Sequence, residues 1–134
     1  MELAQIGIGL FIVAHGLVHI MFEFNIQDPN NEKNVGWSGE SWVLSNFLNE
    51  NTVKLAGRIL WGLVIVGFVV AGLGYLEFPV FIDWWEITII LSSALSLVSF
   101  VLFWNGLGPS PWYYIVGIIL DAVFLMLPLF NSNL

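Results

Sequence analysis

The sequence predicts an all-α integral membrane four-helix bundle, and three observations carry that prediction. Hydrophobic residues make up 58% of the 134-residue chain and charged residues only 10%, against roughly 25% charged in an average soluble domain. Four apolar runs, at about 3–22, 53–75, 85–104 and 112–130, are each near the roughly 20 residues that cross a hydrocarbon core of about 30 Å. Where no water reaches the backbone, a helix satisfies its own N–H and C=O groups. The mean hydropathy of +0.88 fits one membrane domain over residues 1–134, with no water-soluble domain beside it.

The first run opens Met1-Glu2-Leu3-Ala4-Gln5. It has no positively charged flank before it and no small-residue cleavage pattern after it, so it reads as a retained span rather than a removable signal. Within it, Ala14-His15-Gly16-Leu17-Val18-His19 sets two imidazoles at i and i+4, one above the other on a helix, with Glu23 next on that face. Ionisable groups inside a span are costly and mark functional candidates.

The connection over 23–52 is the longest, about 30 residues. In it Trp42, Val43, Leu44, Phe47 and Leu48 recur at helical spacing among polar residues, which predicts a short interfacial amphipathic helix over 41–49. The alternative is an ordered loop capping the bundle. The second span is capped by Thr52 or Asn51, and its Gly67, Ala71 and Gly74, like Gly9 and Gly16, favour close helix approach. Asp83 with Glu86 forms a capping box for the third span, which carries Thr88, Ser92, Ser96 and Ser99 along one face. Ser110 before Pro111 starts the fourth, Gly117 and Asp121 share a face, and Pro128 marks a kink or the exit. Trp84, Trp85, Trp104, Trp112, Tyr113 and Tyr114 fall at the predicted interfaces as aromatic anchors.

The net charge of -7 argues against a nucleic-acid partner or a polybasic lipid contact. The absence of cysteine excludes disulfides, thiolate nucleophiles and Cys-containing metal sites. Lys33, Lys54 and Arg58 are the only basic residues besides histidine, all in or beside the first connection. The positive-inside rule therefore places the first and third connections in the cytoplasm of a cell-membrane protein, with both termini outside.

At about 1.5 Å per residue, His15, Ser96 and Asp121 lie roughly 12 to 14 Å from the first-connection side, and His19, Arg58 and Ser99 roughly 6 to 8 Å. Two polar layers and a polar seam facing the bundle interior follow, because lipid cannot solvate these groups. The histidines have two readings. One is a hydrogen-bonded structural or proton-handling pair with Asp121; the other is a divalent-metal or haem site drawing on His15, His19, Asp121 and Glu23. Haem is the weaker form, since bis-His haem usually takes its ligands from different helices. Arg58 either snorkels to the interface or pairs with Glu23 or Asp121. The serines have a plain reading as hydroxyls bonded to the carbonyl four residues back.

The runs His15-Gly16-Leu17-Val18-His19, Gly57 to Gly74 (GRILWGLVIVGFVVAGLG), Leu95 to Asn105 (LSLVSFVLFWN) and Trp112 to Met126 (WYYIVGIILDAVFLM) together resemble small four-span prokaryotic integral membrane proteins. The resemblance implies the architecture and no activity. DoxX-like four-span proteins are similar in size, but their characteristic charged positions have no counterpart here, and nothing is carried over from them.

Three functions fit these residues. The first is a small accessory or assembly subunit with a polar intramembrane seam, held in the bilayer as a homo-oligomer or in a larger membrane complex. The second is a metal- or haem-binding component of a membrane oxidoreductase, with His15, His19 and Asp121 as ligands. The third is proton-linked transport of a small solute, with His15, His19 and Asp121 as relay. No nucleophile elbow, phosphate loop or zincin signature occurs, so the reading leans away from an enzyme.

Overall fold

The computed structural model describes residues 1–24 and 35–132. Its α-helices are α1 (Leu3–Val18), α2 (Ile20–Phe24), α3 (Glu50–Tyr75), α4 (Trp85–Leu102) and α5 (Ile115–Ser132). α2 continues α1 past His19, and a 3-10 turn at Pro111–Tyr114 leads into α5. Four helical runs, Leu3–Glu23, Glu50–Tyr75, Trp85–Leu102 and Pro111–Asn131, are thus long and apolar enough to cross a membrane.

The helix ends differ from the expected caps. Asn49, rather than Thr52 or Asn51, caps α3: its Oδ1 accepts the Thr52 N–H at 2.8 Å, and the helix begins at Glu50 with a polar first turn. The Asp83–Glu86 box does not form. The helix begins after Trp84, and the turns preceding it already satisfy backbone donors, with the Trp84 N–H on the Phe81 carbonyl at 2.9 Å. Ser110 precedes the 3-10 turn with Pro111 at its first position, but its side chain caps nothing. Pro128 lies inside α5, which runs on to Ser132.

The amphipathic helix expected over 41–49 is also absent; a single 3-10 turn at Leu44–Asn46 stands there. The reason lies at the C-terminal end of α4, whose last carbonyls have no helical partners. Ser41 Oγ donates to the Leu102 carbonyl at 2.6 Å and accepts the Leu44 N–H at 3.0 Å, while Trp42 Nε1 donates to the Val101 carbonyl at 2.6 Å. The segment is an ordered cap on α4. Residues 25–34 of this connection, Lys33 among them, lie outside the described residues.

Two short strands, β1 (Gly36–Trp37) and β2 (Leu107–Gly108), pair antiparallel with Gly36 opposite Gly108 and Trp37 opposite Leu107. They fasten the first connection to the third at one end of the bundle. Tyr114 completes the clasp: its hydroxyl accepts the Gly36 N–H at 2.7 Å and donates to the Gly108 carbonyl. Tyr114 is therefore buried and is not an interfacial anchor.

α1 packs along α3, α3 along α4 and α4 along α5. Glycine makes the first of these seams close. A Cβ on Gly16 would sit 2.6 Å from the Phe68 Cβ, and one on Gly72 would sit 3.0 Å from the Val13 backbone nitrogen. Two apolar cores result. One, at the clasp end, gathers Phe22, Trp37, Val53, Trp61, Phe100, Phe103, Leu107 and Tyr114. The other gathers Ile12, Val64, Phe68, Ala71, Ile89 and Phe124. A polar cluster lies between them.

Candidate functional site

The cluster joins three helices. His15 on α1 and Asp121 on α5 meet directly, Nε2 to Oδ1 at 2.6 Å, and Ser96 Oγ on α4 lies 2.5 Å from Asp121 Oδ2. His19, at the end of α1, closes the group: its Nε2 is 3.0 Å from Ser96 Oγ and its Nδ1 is 2.9 Å from the His15 carbonyl. All four residues are buried, Asp121 and Ser96 completely. Aromatic rings wall them in. Phe68 and Phe124 stand against His15 with centroids at 4.9 and 5.1 Å, and Phe22, Trp61, Phe68 and Phe100 surround His19 at 5.8 to 6.1 Å.

The predicted pair of polar layers is a single one. Side chains on a helix lean toward its N-terminus, and His19 turns its ring back to the level of His15, so that it meets Ser96 and not Ser99. Ser99 is buried but donates to the Leu95 carbonyl at 2.8 Å, as Ser92 does to Thr88 at 2.6 Å. Ser96 alone in that stripe aims its hydroxyl across the bundle. Arg58 is exposed, and among the described residues it makes no ion pair with Glu23 or Asp121. Glu23 is half-buried beside Gly62 and stands apart from the three-residue group formed by His15, His19 and Asp121.

The hydrogen bonds fix much of the proton placement. A carbonyl only accepts, so His19 Nδ1 carries a proton. In a neutral His19 ring, Nε2 is then bare and accepts the Ser96 hydroxyl proton. Ser96 has only that one proton, so in this arrangement the bond it otherwise donates to Asp121 Oδ2 is reversed, with a protonated Asp121 as donor. The alternative arrangement has His19 charged, donating to Ser96, with Ser96 donating to an ionised Asp121. Both hold the same number of protons and join the same atoms, with donor and acceptor reversed along the run; the second keeps Ser96 as the donor to Asp121. They differ only by a shift along Asp121, Ser96 and His19.

A metal can also be tested against this group. One ligand atom from each of His15, His19 and Asp121 lies within 4.8 Å of the others. Two His and one carboxylate suit a divalent transition metal, and the carbonyl bond at His19 Nδ1 is the usual outer partner of a ligating ring. The 2.6 Å His15–Asp121 contact is tighter than the roughly 3 Å between adjacent ligands at about 2.1 Å from an ion, so the pair would have to part slightly. Haem does not fit: the two imidazoles come from one helix and meet edge to face at 5.0 Å, with no gap for a macrocycle between them.

α1 and α5 do not pack along each other as the other neighbours do. On the clasp side of the His15–Asp121 bridge they part around a cleft of about 330 Å³, lined by Phe11, Phe22, Phe100, Tyr113 and Tyr114 with smaller apolar residues, and by His15 and His19. Gly117 lies on this wall, and a Cβ there would meet nothing within 4 Å among the described residues. Pairing Gly117 with Asp121 on one face located this wall in the sequence, but nothing in the chain signalled that it stands open. Comparison with protein-family models, curated proteins and solved structures finds no match to this chain.

Proposed function

We propose that this chain is a small integral membrane subunit of the cell membrane whose bundle holds one shared, exchangeable proton in the His15–Asp121–Ser96–His19 cluster. The observation that carries this reading is the closed run of hydrogen bonds from His15 through Asp121 and Ser96 to His19, which accommodates two proton placements without moving a heavy atom. A net-neutral cluster suits a low-dielectric bundle, where separated charges cost several kcal/mol each, of order. The apolar outer faces of the four helices and the low charge content support a bilayer as the solvent.

Infrared spectroscopy of the protein in nanodiscs tests the proton. The expected result is the C=O stretch of a protonated carboxylic acid that shifts in heavy water, moves in Ser96→Ala and vanishes in Asp121→Asn. An ionised Asp121 whose signal ignores Ser96→Ala would overturn the reading. The second reading, a divalent-metal site on His15, His19 and Asp121, rests on the convergence of their ligand atoms. Stoichiometric metal in chelator-free preparations, lost in the His15→Ala/His19→Ala variant, would favour it instead.

For orientation, we place the first and third connections, which the clasp holds together, on the cytoplasmic side with Lys54 and Arg58. The chain has no cysteine, so single Glu40→Cys and Glu77→Cys variants report on this directly. An impermeant thiol reagent applied to intact cells labels the second and not the first. The reverse pattern inverts the topology.

A further inference from the structure

Besides the exposed Tyr113, the cleft between α1 and α5 has one polar feature that the cluster does not consume. His15 Nε2 is committed to Asp121, while Nδ1 of the same ring has no hydrogen-bond partner among the described residues. Its counterpart on His19 is tied to a carbonyl four residues back. The His15 side chain is only 6% exposed, and the cleft is the space it lines. A ring nitrogen of a residue on an apolar cleft wall, without a partner among the described residues, gains a hydrogen bond from a matching group on a ligand.

From the proton arrangement proposed above, on which this inference rests, the kind of partner follows. With the shared proton on Asp121 Oδ2 or on His19, Oδ1 has none to give, so His15 donates Nε2–H to it. In the neutral ring Nδ1 is then bare and accepts. The ligand atom that meets it must be a donor. Around that nitrogen the walls are aromatic and apolar, and the mouth lies between two helices whose outer faces carry Val18, Tyr113 and Val116. Such a mouth opens to lipid rather than to water. A side chain at Gly117 would enter this space, since an added Cβ meets none of the described residues within 4 Å.

We infer that the cleft is a binding site for a membrane-dissolved phenol: an aromatic ring bearing a hydroxyl, carried on an apolar tail, entering sideways from the bilayer and donating its O–H to His15 Nδ1. The aromatic lining receives the ring by edge-to-face and offset contacts. The tail leaves between α1 and α5. A long-chain monophenol and a hydroquinone share this headgroup chemistry. The hydroxyl proton lies next to the cluster, so binding couples to the proton placement on Asp121 and His19 without any redox step.

The test uses the full chain in phosphatidylcholine nanodiscs, titrated with ring-fluorinated para-dodecylphenol, its methyl ether and the corresponding dodecyl hydroquinone, and followed by fluorine NMR. The phenol should bind saturably at one site, about ten-fold more tightly than the ether, which lacks the donor. Gly117→Leu, which fills the cleft from the α5 wall and replaces no member of the cluster, should abolish binding of both. His15→Phe should reduce the phenol to the affinity of the ether. Tighter binding by the hydroquinone than by the monophenol identifies the former as the source of the headgroup, and equal binding identifies the latter. Equal affinity of phenol and ether, no saturable phenol binding, or phenol binding that survives Gly117→Leu would each overturn the inference. If any of these occurs while the infrared signature of Asp121 is intact, the ligand assignment fails and the proton reading stands. If that signature is absent, the premise itself has failed.

Discussion

α1 has two seams, and glycine serves opposite ends in them. Against α3, Gly9 and Gly16 face Leu76 and Phe68 with no room for a side chain, so the helices touch backbone to side chain along their length. Against α5 the backbones stay apart, Gly117 faces empty space, and the contact is made by a few side chains, His15 on Asp121 and Phe11 and His15 on Phe124. The close seam is built on van der Waals packing, the main source of helix association where lipid is as apolar as the side chains. The open seam is built on hydrogen bonds between polar groups that lipid cannot satisfy. Close packing and the cleft beside the polar cluster thereby lie on different faces of one helix.

Substitutions can break this contrast. The largest effect is expected from Gly16→Leu, where the new side chain meets Phe68 and the Ile65 carbonyl of α3: a loss of about 3 kcal/mol, the upper part of the usual overpacking range. Thermal unfolding in mild detergent checks it, and a melting point equal to that of the parent would show that the seam is not close. Next is Asp121→Ala, which strands His15 and Ser96 in the open seam. A loss of about 1 to 2 kcal/mol is expected, in the range of hydrogen bonds between membrane helices. Asp121→Asn should recover most of it, and equal losses for the two variants would show that volume rather than hydrogen bonding matters there.

Smaller still is Gly117→Ala, in which a methyl group enters open space. It should leave the melting point unchanged or raise it by the equivalent of up to about 1 kcal/mol, through the reduced freedom of the unfolded chain. A loss as large as that of Gly16→Leu would show α1 and α5 to be closed against each other. At the bottom of the scale is Lys54→Ala, which removes the exposed ion pair with Glu50 at 2.8 Å and should produce no measurable shift.

The four helical runs were legible because length and hydropathy alone define them. Their ends were not. Asn49 reads as one of several polar residues before Val53, and only the backbone path shows that it, and not Asn51 or Thr52, takes the cap. The 41–49 segment has helical spacing of apolar residues, yet its Ser41 and Trp42 are drawn to open carbonyls of α4, a tertiary demand that periodicity does not register. The β1–β2 clasp is two residues long on each side and leaves no alternation to detect.

For the site, depth counting brought His15, Ser96 and Asp121 to one level, where the structure joins them. The same counting misplaced His19, since a ring that leans back along the helix belongs to the level above its own Cα. Arg58 was grouped with the seam by depth alone, and depth says nothing of direction: its face of α3 points outward. The cleft was invisible because it depends on which pair of neighbouring helices fails to close.

Tyr114 belongs to two structures at once. Its hydroxyl ties Gly36 to Gly108 and so locks the two connections together, while its ring forms one side of the cleft and touches Phe22 at 5.0 Å. Among the described residues, Tyr114 thus links the cleft wall to the clasp. To widen the mouth of the cleft is to pull on the clasp, and to loosen the clasp is to reshape the mouth, so the cleft side and the loop side of this protein share one mechanical element.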